Sequence, residues 1–69
     1  MPAVDTTPAD LGLLFHRLNN QLGIILANAE LLEKKAPDDM HRARAAQVVL
    51  SVLEAMGTAK ELRAALDDQ

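Results

Sequence analysis

Residues 11–32 read LGLLFHRLNNQLGIILANAELL, and the spacing of their apolar side chains decides the fold. At steps of about 100° per residue, Leu11, Leu14, Phe15, Leu18, Leu22, Ile25, Leu26, Ala29 and Leu32 share one broad arc of a helix. Within that arc Leu11, Phe15, Leu18, Leu22, Ile25, Ala29 and Leu32 alternate steps of four and three, the seam of helices packed at a shallow crossing angle. Upstream, Thr7-Pro8-Ala9-Asp10 offers a hydroxyl N-cap, a proline at the first helical position and an acid in the first turn. Downstream, no proline interrupts the chain until Pro37-Asp38-Asp39, which breaks the first helix and supplies an acidic start for a second. The second helix carries its own stripe: Ala45, Val48, Val49, Val52, Leu53, Ala55, Met56, Ala59 and Leu66.

These signals predict one all-α domain over residues 1–69. It has a loose leader over 1–6, helix 1 over 7–36 and helix 2 over 37–66. Each helix is about 42 Å long, and the connection is too short for anything but an antiparallel hairpin. Facing residue numbers should sum to about 75, which sets His16 level with Thr58 and Ala59, and Asn20 level with Ala55. Both stripes are wider than one partner helix can cover. Two hairpins packed face to face would bury them, so the expected assembly is a homodimeric four-helix bundle.

Composition points the same way. A 69-residue chain buries too little surface to be comfortably stable alone, and with no cysteine it has neither disulfides nor thiolate metal sites to help. The apolar share is 49%, yet Phe15 is the one aromatic residue, so the core must be aliphatic, a palette suited to helix-on-helix packing. The net charge of −3, with both signs scattered along the chain, gives no electrostatic footprint for nucleic acid or an anionic membrane. No apolar run is long enough to span a membrane and no signal peptide is evident, so the expected location is cytoplasmic.

The residues outside the core arc carry the functional signal. His16 lies about 140° from Leu11, on the outer face, with Asn20 one turn further along. Gly12, Gly23 and Ala27 continue this row. Two glycines inside a helix cost about 1 kcal/mol each relative to alanine, which suits either close approach of another protein or close helix packing. Leu13, Ile24 and Leu31 cluster on the flank of the His16 row. They read as a docking patch for a partner helix or as leucines packed against the leader.

The run from Phe15 to Leu22, FHRLNNQL, followed by GIILANAELL over 23–32, resembles the histidine box of sensor histidine kinases in its variant with paired asparagines. The resemblance covers most of helix 1. In that family the segment belongs to the dimerisation and histidine phosphotransfer domain, a helical hairpin that dimerises as a four-helix bundle. The resemblance implies that His16 is the phosphoacceptor and that Asn20 holds the position that orients water for hydrolysis of a receiver's aspartyl phosphate. Two departures stand out: Arg17 replaces the acid that usually follows the histidine, and Gln21 replaces a frequent proline, so helix 1 should run unkinked.

The expected function is that of a stand-alone histidine phosphotransfer protein in a two-component phosphorelay. No ATP-binding catalytic domain follows Leu66 in this sequence, so the chain is not expected to act as an ATP-dependent kinase by itself. A neutral imidazole nitrogen on an exposed helix face can attack a phosphoryl group presented by another protein, and the Arg17 guanidinium could help neutralise that group. The partners implied are a second copy of the chain and either a response-regulator receiver domain or a histidine kinase. Leu13, Gly23, Ile24, Ala27 and Leu31 are the expected docking residues. No cofactor is implied, with magnesium entering through the receiver alone. The competing reading is a non-enzymatic, kinase-like binding module that docks to a receiver or a kinase as inhibitor or scaffold. A purely structural dimer is the third. His41 sits near the turn, about 30 Å from His16, and reads as a solvated surface residue, as do Glu30 with Lys34 and Glu33 with Lys34 and Lys35.

Overall fold

The computed structural model describes residues 8–68 and shows two helices, α1 (Pro8–Lys34) and α2 (Asp39–Asp67), packed as an antiparallel hairpin. The expected leader and the Thr7 cap lie outside the described residues. Pro8 opens α1, and Asp10 stands in its first turn. At the other end the Lys35 amide donates to the Leu31 carbonyl at 3.0 Å and the Ala36 amide to Glu33 at 3.4 Å, which closes the last turn before Pro37 removes the next donor.

The second helix begins at Asp39 rather than at Pro37, because Asp38 is its N-cap. The Asp38 backbone is extended (φ −150°, ψ 173°), and its carboxylate accepts the His41 amide at 2.8 Å. Asp39 follows in the first turn and takes a 3.2 Å ion pair from Arg42. At the far end the Asp68 amide donates to the Ala64 carbonyl. No proline lies inside either helix.

Among the described residues five side chains are buried: Phe15 and Ala29 on α1, and Ala45, Val52 and Ala59 on α2. The α2 trio recurs every seven residues, and half-buried Leu22 lies midway between the two buried α1 positions. The Phe15 end of α1 lies against the Ala59–Arg63 stretch of α2, and the Leu32 end against the stretch around Ala45. The Arg63 guanidinium stacks over the Phe15 ring, 5.8 Å from its centroid. Helix side chains lean toward their own N-terminus, so Arg63 reaches Phe15 from the turn beyond Ala59.

None of these five is completely enclosed, and eight of the eighteen expected core residues lie open. Leu14, Leu18, Ile25 and Leu32 on α1 and Val48, Ala55 and Leu66 on α2 are exposed in the single hairpin, as is Leu62, which falls in the same arc of α2. By helical angle all eight lie on one side of the α1–α2 contact line. The groove lined by Leu32, Ala36, Ala45 and Val48 shows the two helices sharing that side at the turn end. Leu53 departs from this pattern. It is 48% exposed and lies about 140° from Val48, on the opposite flank of the contact line. The α2 stripe is therefore split by α1, with one wide margin on the open apolar side and Leu53 on the other.

Candidate functional site on the outer flank of α1

Phe15 points at α2 and is buried, and that contact fixes where its neighbours point. His16 follows by one step of about 100° and is exposed. The open apolar face lies on one side of the contact line and His16 on the other. An assembly that covered the apolar face would leave the imidazole reachable from solvent. His16 makes no hydrogen bond or ion pair with the described residues.

Along the same flank Gly12 and Gly23 are half-buried, and a Cβ built at either meets nothing within 4 Å. The packing of α1 on α2 does not demand glycine at these positions. The result is a low strip bordering His16. Asn20 is exposed one turn beyond the histidine.

The expected docking residues fall together. Leu13, Ile24 and Leu31 are exposed at 68%, 62% and 53%, and form one row beside exposed Ala27. Ala27 and Leu31 also line a shallow depression with Glu30, Glu33 and Lys34. Among the described residues nothing covers this row. Arg17 is exposed too, but one step round the helix from His16, and neighbouring residues on a helix do not face each other.

Two features were not anticipated in the sequence. His41 is exposed, yet its Nδ1 stands 2.8 Å from the Asp38 carboxylate, whose pKa is held below the usual aspartate range by the His41 amide and then by the His41 ring. The second feature is Lys60. It follows buried Ala59 as His16 follows buried Phe15, and the signal that could have revealed it is the seven-residue recurrence of Ala45, Val52 and Ala59. The Glu30–Lys34 spacing does not close into an ion pair. Ion pairs form instead at His41–Asp38, Arg42–Asp39 and Arg63–Asp67, all between exposed side chains.

Among the described residues no group of three ligating side chains could hold a metal ion, and no helix is long and apolar enough to cross a membrane. No family model, curated protein or solved structure matches this chain.

Proposed function

We propose that the chain is a histidine phosphotransfer protein that works as a dimeric four-helix bundle and carries a phosphoryl group on His16 to or from a receiver aspartate. One observation supports this most. The histidine of the FHRLNNQL run stands exposed on the flank of α1 away from the open apolar face. Dimerisation through that face and docking of a receiver on His16 are therefore compatible.

The chemistry is a phosphoryl exchange between an aspartate oxygen and an imidazole nitrogen. The nitrogen lone pair attacks phosphorus in line, the P–N bond forms as the aspartyl P–O bond breaks, and the carboxylate leaves. The protein's part is positioning: a rigid helix presents the ring, and the low strip at Gly12 and Gly23 admits a second protein close to it. The row of Leu13, Ile24, Ala27 and Leu31 supplies apolar contact toward the turn, and Asn20 lies within the same footprint. Magnesium belongs to the receiver.

The test is to mix the protein with a panel of phosphorylated receiver domains and follow the receiver phosphate. Loss of aspartyl phosphate with matching gain of acid-labile phosphate on the wild type, and none on His16→Ala, is the expected result. Saturable receiver binding with no phosphate gained on His16 would select the docking-module reading in its place. In that case Arg17 is the residue that sets this chain apart from its kinase-like pattern.

A further inference from the structure

We infer that Lys60, on α2, is the cation that holds the phosphoryl group on His16; this rests on the phosphotransfer reading above. The argument is one of register. Phe15 and Ala59 are both buried, and Arg63, one turn beyond Ala59, lies over the Phe15 ring, so this stretch of α2 runs at the level of Phe15. In antiparallel right-handed helices one step of about 100° beyond each member of such a pair turns both side chains to the same side of the hairpin. His16 and Lys60 are those two residues, so they project on the same side, offset along the axis by about 3 Å because the two helices run in opposite directions. With helix axes about 8–10 Å apart, a lysine stem spans the gap to a group attached to the imidazole.

The other nearby cations are placed for different work. Arg17 adjoins His16 in sequence but points about 100° away from it. Arg63 is engaged, with its guanidinium over the Phe15 ring and its Nε 3.9 Å from the Asp67 carboxylate. Lys60 is exposed and makes no hydrogen bond or ion pair with the described residues. A phosphoryl group on His16 brings a dianion onto this flank, where an ammonium on a flexible stem offers it charge-assisted hydrogen bonds.

Phosphoramidate tests this without a receiver, because the imidazole nitrogen attacks its phosphorus, the new P–N bond forms and ammonia leaves. Wild type, Lys60→Ala, Lys60→Arg and Arg42→Ala are phosphorylated in parallel. The rate and the phosphorus NMR titration of the phosphohistidine are then recorded. The expected result is that Lys60→Ala is phosphorylated at least threefold more slowly and that its phosphoryl group takes up a proton at higher pH. Lys60→Arg should behave nearly as wild type and Arg42→Ala, at the turn end, should show no change. Proton NMR of the unmodified protein should also show contacts between the His16 ring and the Lys60 methylenes. Equal rates and titrations in wild type and Lys60→Ala, or absence of those ring–methylene contacts, would overturn the assignment while leaving His16 as the acceptor. A wild type that takes no phosphate on His16 removes the phosphotransfer reading and the proposal with it.

Discussion

Replacing Ile25 by aspartate should separate the two copies of the bundle, and the size of the effect follows from what the single hairpin leaves uncovered. Ile25 keeps 46% of its surface exposed in the middle of the open face. That is about 80 Å² of apolar area, worth about 2 kcal/mol when a second copy covers it, at ~25 cal/mol per Å². A symmetric dimer loses this twice, about 4 kcal/mol, which weakens association by about a thousandfold. The buried carboxylate adds a further desolvation cost. Ile24→Arg is the matched control. Ile24 is 62% exposed, but it lies about 100° from Ile25, in the outer row, and its replacement should leave dimer stability within about 0.5 kcal/mol. Sedimentation equilibrium across a concentration series, with thermal melts at each concentration, measures both. The reasoning fails if Ile25→Asp associates as tightly as wild type, if Ile24→Arg dissociates the dimer, or if the wild type melts cooperatively as a monomer independently of concentration.

Gly23→Ala should raise the melting temperature by the equivalent of about 0.5–1 kcal/mol, since a Cβ there meets nothing within 4 Å, and should weaken receiver binding if the strip is a contact. Unchanged binding would remove Gly23 from the footprint. Asp38→Ala should lower the melting temperature at neutral pH by removing the α2 cap. The folded Asp38 pKa is lowered from 3.8, so its stabilisation is fully present above that value and is lost as pH falls through the folded pKa. Melts of wild type and Asp38→Ala should therefore converge in strong acid, and a gap that persists there would contradict the capping role. Arg63→Ala should cost about 0.5–1 kcal/mol through the lost stacking on Phe15, while Phe15→Ala should cost about 3 kcal/mol or more, both read from denaturant unfolding at fixed protein concentration.

The helix limits were legible because they are set locally: Pro8 opens α1, and Pro37 with Asp38 separates the two helices. The pairing of the helix ends was legible because a connection this short leaves only an antiparallel hairpin, which brings Phe15 to the Ala59–Arg63 stretch. The division of the apolar stripes was not. A helical wheel gives the angle of Leu53 or Ile25 on its own helix but not which neighbour covers that angle. Only the placement of α1 against α2 shows Ile25 on the open face and Leu53 across the contact line. The same limit applied at the site. His16 stood out through its motif, whereas Lys60 lies in an ordinary run of α2 and gains a role only once both helices are in register.

The measurement that bears most directly on the central claim is mapping of the phosphate after transfer from a phosphorylated receiver, by mass spectrometry under alkaline conditions that preserve phosphohistidine. The account predicts a phosphate on His16 in the dimer, lost on acid treatment, absent from His16→Ala and retained in His41→Ala. Phosphate on His41, on any other residue, or on no residue while the receiver stays bound would contradict it.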